Sequence, residues 1–182
     1  GYPLSEADEI KLLDPESADP VAPGEAGELC VRGPYTLRGY YDAAEHNASV
    51  FTRDGYLRTG DIVRLIDIAG HECIQVQGRS KDLISRGGEK INAAEIEELL
   101  RQYPGVREVA LVAMPDVRLG ERACAFLTHD GAQPRLADVQ GFLSERGVAK
   151  YKWPERLESI DELPLTPVGK VAKRRLLSLI HI

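Results

Sequence analysis

The chain has 182 residues, of which 43% are hydrophobic and 29% are charged, and its formal net charge is −6. This composition is that of a globular protein, and the length accommodates one domain or two small ones with cores of their own. The negative charge argues against nonspecific nucleic-acid binding. No apolar run approaches the roughly 20 residues of a membrane-spanning helix, so neither nucleic acid nor a membrane is an expected partner.

The three cysteines are Cys30, Cys73 and Cys124, which are far apart in the sequence and form no C-x-x-C spacing. We expect packed, free thiols in a reducing, cytoplasmic compartment. The four histidines are equally scattered. The sequence therefore predicts no metal site.

Residues 1–78 are predicted to be rich in β-structure. Gly and Pro separate short apolar stretches that favour strands: residues 9–13, 27–32, 62–66 and 73–77. The last two flank Asp67-Ile68-Ala69-Gly70, which is typical of a hairpin turn. Residues 43–51 favour a short helix.

After Arg79 the pattern alternates between helix and strand. Asn92 and Glu95 have the spacing of a helix capping box, and an apolar stripe at helical spacing follows them. A second amphipathic helix begins near Leu136 and ends at Gly147. Strands are predicted at residues 106–114, 123–128 and 156–160, and a loop at residues 163–169. These elements predict a small α+β layer domain.

Three residue groups stand out chemically before any family is considered. Asp61 follows Thr-Gly at a predicted turn, where a carboxylate could accept hydrogen bonds from ribose hydroxyls, although such an Asp is more often only a turn residue. Gly87 and Gly88 could admit a ligand close to the backbone or could form a tight hairpin turn. Lys170, on a Gly- and Pro-containing loop, could stabilise a developing phosphate charge, although most loop lysines are only solvated.

Together, the motifs of the chain resemble the adenylate-forming superfamily, which contains acyl-CoA synthetases, peptide-synthetase adenylation domains and luciferases. The resemblance rests on Thr59-Gly60-Asp61, on Gly78-Arg79-Ser80-Lys81-Asp82, and on the segment from Pro164 to Gly169-Lys170. Residues 32–41, 86–91 and 147–154 look like the aryl-acid branch that serves siderophore synthesis. This branch activates acids such as 2,3-dihydroxybenzoate with ATP and passes them to the phosphopantetheine thiol of an aryl carrier protein.

The resemblance implies a role for each matching residue. Asp61 would hold the ribose hydroxyls and Arg79 would contact ribose or phosphate, while Lys81 and Lys90 would reach the nucleotide in one state. Lys170 would be catalytic, bridging the acid and the α-phosphate during adenylation.

The resemblance also implies a change of conformation between the two half-reactions. Lys81 would be the hinge, and rotation there would withdraw Lys170. Arg86, Gly87 and Gly88 would then line the pantetheine tunnel. Arg86 and the basic stretch near Lys150 and Lys152 would be candidates for meeting an acidic carrier protein.

In the domain organisation that this resemblance implies, residues 1–78 are the β-rich, barrel-like end of a large adenylation domain. Residues 79–82 are the hinge, and residues 83–176 are a mobile C-terminal α+β domain. Residues 177–182 match the translation of a common sequencing adapter and are expected to be a non-native tail. The family's phosphate loop, acid pocket and Mg²⁺-binding Glu are expected upstream of Gly1, so we expect the chain alone to be inactive.

Two alternatives remain open at this point. The acid could be salicylate, another aryl acid, a fatty acid or an amino acid, because the residues of the acid pocket are not in the chain. The chain could also be a standalone module that docks a carrier protein without catalysis, although Lys170 would then have no evident use.

Overall fold

The structure is a computed structural model that describes residues 7–180. The chain divides into two compact units, of which the first ends at Lys81 and the second begins at Asp82. Each unit has its own β-sheet. No helix within the described residues is long and apolar enough to span a bilayer.

The first unit is a sheet with one short helix. Its elements are β1 (Glu9–Leu13), β2 (Gly27–Arg32), α1 (Ala44–Val50), β3 (Leu57–Ile68) and β4 (His71–Arg79). The strands are antiparallel in the order β1-β2-β3-β4. The sheet is open, since no pairing between β1 and β4 occurs among the described residues, and the barrel-like shape expected for this part is not closed here.

Tyr56 anchors the strands of the first unit to one another. It forms a small buried core with Leu13 and Cys30. Two cations contact its ring, with Lys11 Nζ 4.3 Å and the Arg32 guanidinium carbon 4.4 Å from the ring centre. Such cation–π contacts stabilise a ring that bridges several strands, and they fix the chain just before β3.

The second unit is an α+β layer structure. Its elements are β5 (Leu83–Arg86), β6 (Glu89–Asn92), α2 (Ala93–Leu100), β7 (Val106–Asp116), β8 (Gly120–His129), α3 (Leu136–Glu145), β9 (Arg156–Ser159) and α4 (Lys173–Leu177). The strand order is β6-β5-β8-β7, and β9 pairs in parallel with β8. The predicted α+β fold is confirmed.

Both faces of the β7–β8 pair are covered, because successive side chains of a strand point to opposite faces. One set packs with α2 and α3: Val109, Leu111, Ala123, Ala125 and Leu127. The intervening set packs instead with Leu163 and Leu176: Ala110, Val112, Met114, Cys124 and Phe126. This double burial explains why both strands are continuously apolar in the sequence.

Several local predictions can be compared with the structure directly. The predicted N-cap is present, since Asn92 Oδ1 accepts a hydrogen bond from the Ala94 N–H at 3.0 Å, while the Glu95 carboxylate accepts from Lys152 Nζ at 2.8 Å. The three cysteines are free and buried, as expected. Helix α4 was not predicted, and Ile180 packs in the same core cluster as Leu176. The prediction that residues 177–182 are a non-native tail stays a prediction.

Candidate functional site

Asp61 and Arg79 face each other across the β3–β4 pair. They are paired in the register of the two strands, and Arg79 Nη1 donates a hydrogen bond to Asp61 Oδ1 at 2.8 Å. The side chains are 30% and 52% exposed, respectively. The prediction of a turn at Asp61 is wrong, because this residue lies within β3. The carboxylate is thus held in a fixed direction while remaining accessible to a ligand.

The backbone just before Asp61 has a special conformation. Gly60 has φ +74°, and a Cβ at this position would lie 3.7 Å from Arg79 Nη2. Thr59 Oγ1 donates to the Leu29 carbonyl at 2.9 Å and accepts from the Asp61 N–H at 3.1 Å. A left-handed residue inside a strand favours glycine. These contacts set the direction in which the Asp61 side chain points.

A buried carboxylate, missed by the sequence analysis, supports this segment from β2. Glu28 is only 4% exposed. It accepts a hydrogen bond from the Gly60 N–H at 3.1 Å, and its other oxygen accepts from the Arg58 guanidinium, at 2.9 Å from Nε. Because a buried charge is stable only when it is paired, Glu28 fixes Arg58 and Gly60 together. Its sequence context, an ordinary Gly-Glu-Leu at the start of a strand, carries no signal of this role.

The predicted hinge residue lies at the boundary of the two units. Lys81 is exposed and is the central residue of a 3₁₀ turn, Ser80–Asp82. The first unit ends at Lys81 itself.

The predicted tunnel segment is the tip of the β5–β6 hairpin. Arg86 pairs with Glu89, which leaves Gly87 and Gly88 as a two-residue turn with φ +58° and +92°. Positive φ at both central positions is what a type I′ hairpin turn requires. Of the two possibilities left open by the sequence, the hairpin turn is therefore present, and it remains compatible with a close approach of a ligand because both glycines are exposed.

The turn between β7 and β8 supports this hairpin from the side. The Gly87 N–H donates to the Leu119 carbonyl at 2.8 Å, and a Cβ at Gly87 would lie 3.1 Å from Leu119 Cδ2. Asp116 closes the β7–β8 turn. The Leu119 and Arg118 N–H groups donate to its carboxylate and hold its pKa below the ordinary value. The Gly87–Gly88 tip therefore has a defined position within the second unit.

The basic residues of the second unit are less available than the sequence suggested. Arg86 Nε donates to Glu155 Oε1 at 2.6 Å, and Lys152 Nζ contacts the Glu95 carboxylate at 2.8 Å. Lys90 Nζ donates to Ser85 Oγ at 2.9 Å across the hairpin. Glu155 and Glu95 thus pair with Arg86 and Lys152, two of the basic residues that the resemblance predicts at the carrier-protein surface.

Lys170 lies on a closed hairpin rather than on an open loop. The Thr166 N–H donates to the Lys170 carbonyl at 2.7 Å, and the Lys170 N–H donates to Thr166 Oγ1 at 3.1 Å. Gly169, with φ +77°, completes the turn that begins at Thr166, because its N–H donates to the Thr166 carbonyl at 2.9 Å. The side chain of Lys170 is exposed. The structure thus presents a solvated ammonium from a backbone that is held on both sides.

The predicted residues fall into groups on separate units. Asp61 and Arg79 are in direct contact in the first unit, whereas Lys90, the Gly87–Gly88 tip and Lys170 belong to the second unit. Within residues 7–180, no group of three or more His, Cys, Asp or Glu side chains has the geometry of a metal site. For a nucleotide, the donor set fits in chemical type, with a carboxylate for hydroxyl groups and cations for phosphate.

Comparison with known proteins identifies what these motifs have in common. The model of the AMP-binding enzyme C-terminal domain matches residues 95–170, and the AMP-binding enzyme model matches residues 1–41. The chain belongs to the AMP-binding, adenylate-forming enzyme family. The family resemblance of the motifs is therefore confirmed.

Individual relatives of this AMP-binding family member are similar along almost the whole chain. The 2,3-dihydroxybenzoate-AMP ligase of Bacillus subtilis (strain 168) is 51% identical over 176 residues, which are 97% of this chain and 32% of that protein. A salicylyl-CoA synthase / salicylate adenylyltransferase of a Streptomyces species is 54% identical over 177 residues, which are 97% of this chain and 31% of that protein. The chain spans about a third of the length of these curated relatives.

A solved structure supports the fold. The ATP-bound MatB of Rhodopseudomonas palustris superposes with a TM-score of 0.79 at 33% identity, over 95% of this chain and 34% of that chain. The fold of the present AMP-binding enzyme chain is therefore that of a nucleotide-binding relative.

Proposed function

We propose that the protein carrying this chain is an ATP-dependent ligase that activates an aryl acid, 2,3-dihydroxybenzoate, in siderophore biosynthesis. In the first half-reaction a carboxylate oxygen of the acid attacks the α-phosphorus of ATP. The bond between that phosphorus and the bridging oxygen of the β-phosphate breaks, and pyrophosphate leaves. The product is an aryl adenylate.

In this proposal Asp61 and Arg79 bind the nucleotide. Asp61 accepts hydrogen bonds from the ribose hydroxyls through its accessible carboxylate, and Arg79 holds that carboxylate in a fixed direction while it contacts ribose or phosphate. Lys81 and Lys90 reach the nucleotide in one of the two conformations. Within residues 7–180 no group of His, Cys, Asp or Glu side chains would hold Mg²⁺; when bound, the ion would neutralise charge on the pyrophosphate.

Lys170 stabilises the charge that develops between the acid and the α-phosphate. The observation that carries the proposal is the hairpin that presents this residue. The backbone N–H and carbonyl of Lys170 are both hydrogen-bonded to Thr166, while its ammonium is exposed. A cation presented from a fixed backbone lowers the barrier by stabilising the negative charge that develops in the transition state.

In the second half-reaction the thiolate of a phosphopantetheine group attacks the acyl carbonyl, and AMP leaves with the electron pair of the mixed anhydride bond. Rotation at Lys81 withdraws Lys170 and brings the Gly87–Gly88 tip to the thiol. The lack of side chains at this tip leaves room for a narrow pantetheine arm. Arg86 borders the same tip, and an aryl carrier protein supplies the thiol.

A second candidate acid is salicylate, because the protein named for salicylate is 54% identical to this chain, against 51% for the protein named for dihydroxybenzoate. The two acids differ by one ring hydroxyl. A pocket that hydrogen-bonds the additional hydroxyl discriminates strongly against an acid that lacks it, since its polar groups are then left unpaired.

The test is ATP–pyrophosphate exchange by the full-length protein with a panel of acids. The panel comprises 2,3-dihydroxybenzoate, salicylate, benzoate, a fatty acid and an amino acid. We expect 2,3-dihydroxybenzoate to give the highest kcat/KM. Preference for salicylate supports the second candidate, and preference for a fatty or amino acid refutes both.

A matched pair of variants separates nucleotide binding from general damage. Asp61→Asn keeps the size of the side chain but loses the charge that Arg79 pairs with, and we expect it to raise the KM for ATP by about tenfold or more. Asp67→Asn, on the exposed tip of the same hairpin, is the control and is expected to leave exchange unchanged. No exchange with any acid in the unmodified protein would favour a non-catalytic docking module.

A further inference from the structure

A buried carboxylate in the second unit joins three elements that the sequence keeps far apart. Glu97 lies in α2 and is 8% exposed. Its Oε1 accepts a hydrogen bond from the Leu111 N–H of β7 at 2.7 Å. Strand β7 is at the edge of its sheet, where outward N–H groups have no neighbouring strand. Glu97 therefore satisfies one of these edge donors from the adjacent helix.

Lys173 supplies the nearest countercharge to this buried carboxylate, whose other oxygen lies 3.9 Å from Arg101 Nη2. Its Nζ lies 2.9 Å from Glu97 Oε1, and the two side chains are 25% and 11% exposed, respectively. A buried carboxylate is costly unless it is paired and hydrogen-bonded, and both conditions are met here. Lys173 is consequently fixed in position, unlike the exposed arginine that follows it, Arg174.

Lys173 also lies next to the base of the hairpin that carries Lys170. It begins α4, two residues after the bridge between Leu165 and Val171, and the Ala172 N–H donates to the Pro164 carbonyl at 2.7 Å. Any displacement of Lys173 is therefore transmitted through a short, hydrogen-bonded stem to the hairpin tip. The Glu97–Lys173 pair fixes the hairpin relative to α2 and β7.

The same ammonium also contacts Asp82, which lies in the predicted hinge, residues 79–82; this segment is the joint. Lys173 Nζ lies 3.8 Å from Asp82 Oδ1, and Asp82 directly follows Lys81. One cation thus contacts the first residue of the second unit and the buried anchor of the hairpin. The Asp82 contact is long and partly exposed, so it is the weaker and more easily broken of the two.

We propose that Lys173 is a positioning residue for adenylation, which locks the Lys170 hairpin to the buried Glu97 and to Asp82 at the joint. This inference rests on the proposed function, in which Lys170 acts in the first half-reaction only. Lys173 touches neither substrate nor nucleotide in this scheme and acts through Lys170.

The experiment measures both half-reactions in the full-length protein. Lys173→Met removes the charge but keeps an apolar stem, and we expect pyrophosphate exchange to fall by about tenfold or more while transfer from a preformed aryl adenylate changes by less than about threefold. Lys173→Arg, which keeps the charge, should recover most of the exchange rate. Arg174→Met, one position along α4, is the matched control and should leave both half-reactions unchanged.

A double variant tests whether Lys173 acts through Lys170. In a Lys170→Ala background, adding Lys173→Met should lower exchange by less than about twofold, because coupled residues do not contribute additively. An equal loss in both half-reactions, or an additive loss in the double variant, would assign Lys173 a merely structural role and overturn the inference. If Lys173→Met does not fold, Asp82→Asn replaces it, and an unchanged exchange rate in that variant would remove the link to the joint.

These outcomes are distinct from a failure of the proposed function. Should Lys170→Ala leave exchange intact, the role of Lys170 is wrong and the role of Lys173 falls with it. Should Lys170→Ala abolish exchange while Lys173→Met does not change it, only the inference about Lys173 is wrong.

Discussion

Glu28 allows a stability prediction whose size can be worked out from the structure. Its carboxylate is 4% exposed and accepts hydrogen bonds from the Arg58 guanidinium and from the Gly60 N–H. In Glu28→Gln, the side chain keeps its shape, but one of its two acceptors becomes an NH₂ donor. That donor must face either the Arg58 guanidinium or the Gly60 N–H, so one buried contact becomes repulsive.

The expected loss of stability follows from the burial of the pair. Breaking a fully buried ion pair costs about 3–5 kcal/mol. Arg58 is 26% exposed, so water can partly replace the lost carboxylate, and we reduce the expected loss in the free energy of unfolding to about 2 kcal/mol. With a urea m-value of about 1 kcal/mol/M for a unit of this size, the midpoint should fall by about 2 M.

The assay exploits the single tryptophan of the chain. Trp153 lies in the second unit, whereas Glu28 lies in the first. Urea unfolding is followed both by far-UV circular dichroism, which reports on both units, and by Trp153 fluorescence. We expect the Glu28→Gln variant to shift the dichroism transition and leave the fluorescence transition in place.

A matched control separates burial from loss of charge. Glu72→Gln changes an exposed glutamate of β4 in the same unit and should change the free energy of unfolding by no more than about 0.5 kcal/mol. If Glu28→Gln behaves like Glu72→Gln, the buried network does not stabilise this unit. An equal shift of the Trp153 transition would show that the effect is not confined to the first unit.

Two further predictions concern titratable groups. A hydrogen bond from Lys11, with a further one from Thr52, lowers the pKa of Asp54 to about 2. The stabilisation from this pair is therefore complete above the ordinary pKa of 3.8 and is lost as the pH falls through 2. In Lys11→Met, an NMR titration of the carboxyl carbons should return the pKa of Asp54 towards 3.8, and a value that remains near 2 would contradict the assignment. Burial raises the pKa of the Cys30 thiol to about 11 and that of Cys124 to about 12. A disulfide reagent at pH 8 should therefore label these two cysteines in urea but only slowly in the native chain, and rapid native labelling identified by mass spectrometry would refute their burial.

The strand and helix pattern could be predicted wherever one residue type settles the local structure. Asn92 at the N-cap and Gly147 after α3 act through the backbone within a few positions, so the sequence contains the whole signal. The sequence Thr-Gly-Asp predicts a turn at Asp61, because Gly and Asp favour turns. In the structure Asp61 lies in a strand, because Glu28, 33 positions earlier in the chain, accepts a hydrogen bond from the Gly60 N–H. This hydrogen bond stabilises the positive φ of Gly60. The α4 helix is short, and it forms where Leu176 is buried against β7 and β8.

The candidate site shows the same division between local and long-range signals. Lys170 and the Gly87–Gly88 turn are recognisable from short motifs, because their roles depend on neighbouring residues. Glu97 and Lys173 form a pair across 76 positions of sequence, and neither has an unusual local context. Such a pair can be recognised only when the burial of its side chains is known, because a Glu and a Lys in the same sequence context are ordinary surface residues when they are exposed.

The most direct test of this account is the effect of Lys170→Ala on the two half-reactions of the full-length protein. Loss of one electrostatic donor to the transition state should lower pyrophosphate exchange by about 100- to 1,000-fold. Because Lys170 is withdrawn before the second step in this account, transfer of the aryl group from a preformed adenylate to the carrier thiol should change by less than about threefold. Equal losses in the two half-reactions would contradict a lysine that serves adenylation alone.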